Sequence, residues 1–266
     1  MLGTIAFGLF GLAVLVSVAF LFSGNRRATD LRLVLTGIAL QIVFAILVIL
    51  VPGGREFFEG LSRIFVTVIG FSMDGAAFIF GPMADPSNLG FIFAFQVLPT
   101  IIFFASLMGV LYHLGIMQKV VQGMAWVMFK VMRISGAESL SVAANVFVGQ
   151  TEAPLVVRPY ISRMTESELF TMMVGGMATI AGGVLAAYIT MLGGADEAMR
   201  VFYAKHLLSA SIMAAPATIV IAKILKPEVD ESLTAGSVTL HVEKTATNVI
   251  EAAANGAADG WRLALN

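Results

Sequence analysis

A single carboxylate stands in a stretch that otherwise carries almost no charge. Glu152 follows Gln150 and Thr151, Gly149 and Pro154 bracket the three, and Asn145 lies a turn and a half upstream. An ionisable side chain at membrane depth is costly, so it faces a cavity and marks a substrate or ion path. Gln150 and Thr151 offer neutral donors and acceptors, and Glu152 a strong acceptor. Side by side, they can converge on a polar ligand with several hydrogen-bonding edges. An uncharged heterocycle such as a nucleobase suits them better than an anion, because Glu152 repels negative charge and no arginine cluster is at hand for phosphate. The purely structural alternative pairs Glu152 with Arg158 or Arg163, so that it only pins the backbone.

These side chains need a broken helix to hold them. Glycine admits unusual dihedrals and proline removes a backbone donor, so Gly149 and Pro154 predict a break. The uncharged run from Ser139 to Thr151 is too short for a hydrocarbon core of about 30 Å, which needs roughly 20 helical residues. Two half-helices meeting at this tip predict a re-entrant hairpin over 138–163. Such backbone is tolerated only inside protein or beside a water-filled cavity, and its half-helix ends offer free N–H and C=O groups. Further on, Gly175, Thr179 and Gly183 share one helical face. Small residues at that spacing serve either close helix packing or a binding face. Gly182-Gly183, with Thr179 and Ala181, also tolerates local unwinding.

Composition places these elements in a bilayer. Of 266 residues, 58% are hydrophobic and only 12% charged, against about 25% charged in soluble domains. The net charge of −1 provides no basic field for nucleic acid. With no cysteine, disulfides, thiolate metal sites and cysteine nucleophiles are excluded. An enzyme using Glu152 as general base lacks a paired nucleophile, and three scattered histidines have no ligand spacing.

The periodicity predicts an all-α polytopic chain. Leu2–Phe22 reads as a first span, and Arg26, Arg27 and Arg32 then sit in the cytoplasm, which puts the N-terminus outside. Leu33–Val51 is a second span. In Arg55–Asp85, Phe57, Phe58, Leu61, Ile64, Phe65 and Val68 recur at helical spacing among charges, which predicts an amphipathic helix along the interface; a spanning helix is the alternative. Leu89–Gln118 is a third span that Pro99 can kink, with His113 near its end as an interfacial group or a proton relay. Val120, Met124, Val127, Met128 and Val131 suggest a second amphipathic segment. Leu169–Ala195 is a fourth span. Asp196, Glu197 and Arg200 read as an outer loop, and Leu207–Ala222 as a shorter fifth span with Lys205 and Lys223 snorkelling at its ends.

At Gly149-Gln150-Thr151-Glu152-Ala153-Pro154 the sequence resembles the concentrative nucleoside transporter family. Glu138-Ser139, Ala144-Asn145-Val146-Phe147, Thr165-Glu166-Ser167-Glu168-Leu169-Phe170 and Asn248-Val249-Ile250-Glu251-Ala252-Ala253-Ala254-Asn255-Gly256-Ala257 share the likeness, which runs from about Arg55 onward. It implies an inverted-repeat transporter fold of spanning helices, interfacial helices and a re-entrant hairpin, here with the first repeat only. Residues 1–53 would be two peripheral spans, 54–228 the first repeat, and 243–266 the start of a second, truncated one. The resemblance implies uptake of nucleosides with sodium as the coupling ion, or a proton, by an elevator-type movement in a homotrimer of the cell inner membrane. It assigns nucleobase contacts to Gln150, Thr151, Glu152 and Val184, and sodium ligands to Asn145, Val148, Thr179 and Ile180. Na⁺ is a hard cation suited to such side-chain and backbone oxygens, and Thr179 keeps a hydroxyl where serine is the family's expected residue. No cofactor is implied. The ribose contacts fall in the second repeat, so this chain alone is expected not to transport. A non-transporting membrane subunit, or a transporter of another polar metabolite, are the other readings.

Overall fold

The computed structural model describes residues 2–85, 89–90, 92–150, 153–194, 196–234 and 246–265. Every regular element among them is helical. Those of ten residues or more are, in chain order, α1 (Leu2–Leu21), α2 (Leu31–Ile49), α3 (Pro52–Phe80), α4 (Leu98–His113), α5 (Ile116–Met132), α6 (Gly136–Asn145), α7 (Glu166–Ala178), α8 (Gly182–Gly193), α9 (Glu197–Leu225) and α10 (Val249–Leu265). Among the described residues, five segments have the length and apolarity to cross a membrane: Leu31–Ile49, Pro52–Ala84, Phe93–His113, Glu166–Gly193 and Glu197–Leu225.

The segment after Arg55 is one 29-residue helix, α3, about 43 Å long at roughly 1.5 Å per residue. It buries Phe58, Ser62, Val66, Ile69 and Ser72 against protein, whereas Phe57 and Ile64 of the periodic set stay exposed. One expectation is corrected. The fifth span is longer than its apolar run: α9 begins at Glu197 because the Asp196 side chain accepts from the Ala198 and Met199 backbone N–H groups. Glu197 and Arg200 thus belong to the helix and not to a loop. Pro99 stands in the first turn of α4, and the span-length segment Phe93–His113 is interrupted just before it, at Val97, where the sequence places a kink.

Every residue of α6 is buried, including Glu138, Ser139, Ser141 and Asn145. A helix polar on several sides yet wholly enclosed is held by protein, not by lipid. Its surroundings are α5, α7, α9 and the residues after its own end, with Leu140, Val142, Val121, Met128, Ile219 and Val220 in one apolar cluster. Ser135 and Glu138 form a reciprocal capping box that fixes where α6 starts. The stretch from Ala153 to Arg163 is less regular than the half-helix expected there: one α turn, Ala153–Val156, then 3₁₀ turns over Arg158–Arg163. Pro159 withholds the donor that would continue the α turn.

A second cluster joins α3, α4, α8 and α9 through Val66, Ile69, Phe104, Leu185, Ile189 and Ala204. α10 lies antiparallel on α4 through small residues. A Cβ on Gly256 would meet the Ala105 carbonyl oxygen at 2.5 Å, and one on Gly109 the Ala252 carbonyl oxygen at 2.6 Å. Only glycine allows the two backbones to come this close, which is how helices pack without a hydrophobic drive in lipid.

Candidate functional site

The segment from Glu166 to Gly193 is not one helix. α7 ends at Ala178, Thr179 is extended with φ −124° and ψ 163°, and α8 starts at Gly182. The unwinding expected around Gly182-Gly183 is thus present, three residues long. The break meets the end of α6. Thr179 Oγ1 donates to the Asn145 carbonyl at 3.0 Å, and the Gly182 backbone N–H donates to the Phe147 carbonyl at 3.1 Å. Ser211 Oγ from α9 donates to the Val146 carbonyl at 3.4 Å. The two helix ends therefore saturate part of each other's polar groups.

Asn145 is 3% exposed, and its Nδ2 has no partner among the described residues. A buried amide left unpaired costs about 1–3 kcal/mol. The two ends of the amide are interchangeable in shape, so the residue can present a side-chain oxygen, and oxygen donors of this kind suit a hard monovalent cation.

A cavity of about 1130 Å³ opens at this junction. Val148 and Gln150 line it from the α6 side, and Thr179, Ile180 and Val184 from the broken helix. Five of the eight residues singled out in the sequence thus face one space, and Asn145 lies directly behind it through the Thr179 bond. Thr151 and Glu152 lie outside the described residues, and with them the alternative in which Glu152 pairs with Arg158 or Arg163.

The cavity has walls that sequence reasoning did not supply. Tyr112 and His113 come from the end of α4, Asn255 and Asp259 from α10. The signal was present in the Ala252, Gly256, Gly260 spacing, which marks the α10 face that approaches α4. At the start of α10, the Thr247 hydroxyl and backbone N–H hold the Glu251 carboxyl below its usual range.

A second polar cluster lies at the opposite end of α6. Lys223 does not snorkel: its side chain is 7% exposed, its Nζ stands 2.6 Å from Glu138 and 3.0 Å from Glu228, and it donates to Ser167 Oγ at 2.9 Å. Thr165 and Glu168 cap α7 as Ser135 and Glu138 cap α6. The Ser232 and Thr234 hydroxyls close on the Glu168 carboxylate. The two capping carboxylates, the lysine from α9 and the stretch after it tie α6, α7 and α9 into one block. Both S/T-x-x-E signatures are visible in the sequence; the lysine that joins them is not.

Comparison with known proteins gives a consistent result. Residues 10–83 match a family model described as the Na⁺ dependent nucleoside transporter N-terminus, 94–195 one described as nucleoside recognition, and 206–266 one described as the Na⁺ dependent nucleoside transporter C-terminus. The chain is 40% identical to the nucleoside permease NupC of Helicobacter pylori over 98% of its own length and 60% of that protein's. It is likewise 40% identical to the sodium/nucleoside cotransporter 1 of Homo sapiens, over 96% of this chain and 38% of that one. Among solved structures it resembles CNTnw in an inward-facing substrate-bound state, with a TM-score of 0.87 and 42% identity over 98% of this chain and 60% of that one. A doubly substituted CNTnw in an outward-facing state gives a TM-score of 0.85, with 42% identity over 97% of this chain and 59% of that one. The chain spans about 60% or less of the length of these relatives.

Proposed function

The chain belongs to the Na⁺ dependent nucleoside transporter family, and from that premise we propose that it forms part of a cation-coupled nucleoside symporter. The nucleobase is held by Gln150, Thr151, Glu152 and Val184. A sodium ion sits between Asn145, Val148, Thr179 and Ile180, with Asn145 and Thr179 giving side-chain oxygens and the other two carbonyls. The observation that carries this reading is the junction itself. Thr179 of the broken helix bonds Asn145 at the end of α6, beside a cavity that Gln150 and Val184 share. An ion at this junction sets the spacing of the two breaks and so shapes the wall that the base meets. That is a direct route from ion binding to substrate affinity.

The movement proposed is of the elevator type. α6, α7 and α9, fastened by Lys223, travel as one block past peripheral helices, in a homotrimer of the inner membrane with the N-terminus outside. Residues 1–53, 54–228 and 243–266 divide the chain into peripheral spans, a first repeat and the opening of a second. The relatives are longer than this chain, and the transport activity is proposed for a protein of their length. The test is uridine uptake by such a protein with a sodium gradient and, separately, with a proton gradient alone. Uptake that follows sodium supports the assigned ion. Uptake that follows protons without sodium transfers the coupling to Glu152, and uptake indifferent to both removes it.

A further inference from the structure

A threonine inside an α-helix commonly turns its hydroxyl back onto the carbonyl four residues earlier. Thr67, Thr100, Thr171 and Thr190 all do so, at 2.9–3.0 Å. Thr218, in the second half of α9, does not. The residue is 2% exposed, yet its hydroxyl has no partner among the described residues. Its own helix leaves that oxygen unsatisfied, and protein shuts it off from solvent.

The Asn145 amide nitrogen is in the same condition at the end of α6. The two side chains come together over α7. A Cβ built on Gly175 would stand 3.6 Å from Asn145 Nδ2 and 3.8 Å from Thr218 Cγ2. A methyl there would touch both, so the α6 and α9 side chains border one spot beside Gly175. That spot is a single helical turn from the ion junction, since the Gly175 carbonyl accepts from Thr179 Oγ1 at 3.2 Å. An amide N–H can donate and a hydroxyl can accept. Buried polar groups in native proteins are paired, with one another or through enclosed water.

We propose that Thr218 is a positioning residue for the ion site. Its hydroxyl accepts a hydrogen bond from Asn145 Nδ2, directly or through one water. Hydrogen-bond partners decide which end of an amide faces which way. With the nitrogen held toward α9, Oδ1 of the same amide is left for the cation. α9 thereby takes part in a site otherwise built from α6 and the broken helix. This rests on the sodium reading given above and adds a residue that acts through Asn145.

The test is uridine uptake by the full-length protein over a series of sodium concentrations, with melting temperatures in detergent to show that each variant is folded. Thr218→Val keeps the shape and removes the oxygen. It raises the sodium concentration for half-maximal uptake at least about threefold. Thr218→Ser keeps the oxygen and stays within about twofold of the wild type. A residue that only packs gives the opposite order, because serine leaves a methyl-sized gap and valine does not. Gly175→Ala sets a methyl beside both side chains at ordinary contact distance and shifts the sodium dependence as Thr218→Val does; it carries the reading if Thr218→Val melts early. Unchanged sodium dependence in a folded Thr218→Val, or a shift as large with serine as with valine, overturns the proposal. Thr179→Val is measured alongside. If it raises the sodium requirement and Thr218→Val does not, the role of Thr218 alone is lost. If neither does, the sodium reading falls and this proposal falls with it.

Discussion

At the scale of single residues, two polar groups carry the account, Thr179 half-buried and Lys223 buried, and each makes a different kind of prediction. Thr179 Oγ1 is held by the Asn145 carbonyl, so its oxygen is fixed beside the cavity. Thr179→Val keeps the shape and removes the oxygen. The sodium concentration for half-maximal uptake should rise about tenfold, the equivalent of about 1.4 kcal/mol, with little change in uridine affinity at saturating sodium. Thr179→Ser should leave both nearly as they are. Lys223 makes the second case. Its removal as Lys223→Met leaves Glu138 charged and enclosed, which costs about 3–5 kcal/mol, read as a lowered melting temperature in detergent. Adding Glu138→Gln to Lys223→Met removes the stranded charge and should recover much of the loss. A double variant no better than the single one would mean that the pair is not coupled. The hexapeptide around Glu152 was the clearest feature of the sequence, because charge in an apolar run announces itself. Lys223 was misread for the same reason: a lysine near the end of an apolar run looks like a snorkelling one, and only its neighbour from α6 shows otherwise.

Elements raise the question of what sets a helix's ends and its neighbours. Ser135 with Glu138 and Thr165 with Glu168 carry a capping signature at the α6 and α7 starts, but a reading by apolar runs passes over it and starts the fourth span at Leu169 instead of Glu166. The break at Thr179 was legible from the glycine pair that follows it. The extent of α9 was not, because its exposed polar first stretch reads as a loop, whereas Asp196 caps a 29-residue helix there. The pairing of α10 with α4 was hidden for another reason. Small residues signal a close approach without naming the partner, and the two helices are far apart in sequence. That pairing is testable. Gly256→Val must push the Ala105 carbonyl away and should cost about 1–3 kcal/mol, seen as a drop in melting temperature and a loosened cavity wall. Gly123→Ala on α5 has open space around it and should be neutral or slightly stabilising. Equal behaviour of the two variants would argue against the α4–α10 packing.

Across the whole molecule, the chain divides its polar groups between two ends of one enclosed helix. Glu138 at the start of α6 is neutralised by Lys223 and serves cohesion; Asn145 at its end keeps an amide nitrogen without a partner among the described residues, beside the site proposed for binding. The same short element thus anchors a block and offers it a site. That division explains why a buried helix is polar at all, and it makes the cavity at the junction the place where the protein should meet its substrate. The chain has no cysteine, so Val184→Cys, in a full-length version otherwise free of cysteine, gives one thiol on the cavity wall. The most direct measurement is the rate at which a small maleimide labels it. Uridine with sodium should slow labelling at least about tenfold, as occupancy of a site at ten times its dissociation constant requires, and uridine with choline should slow it far less. A labelling rate unaffected by uridine and sodium would contradict the account at its centre.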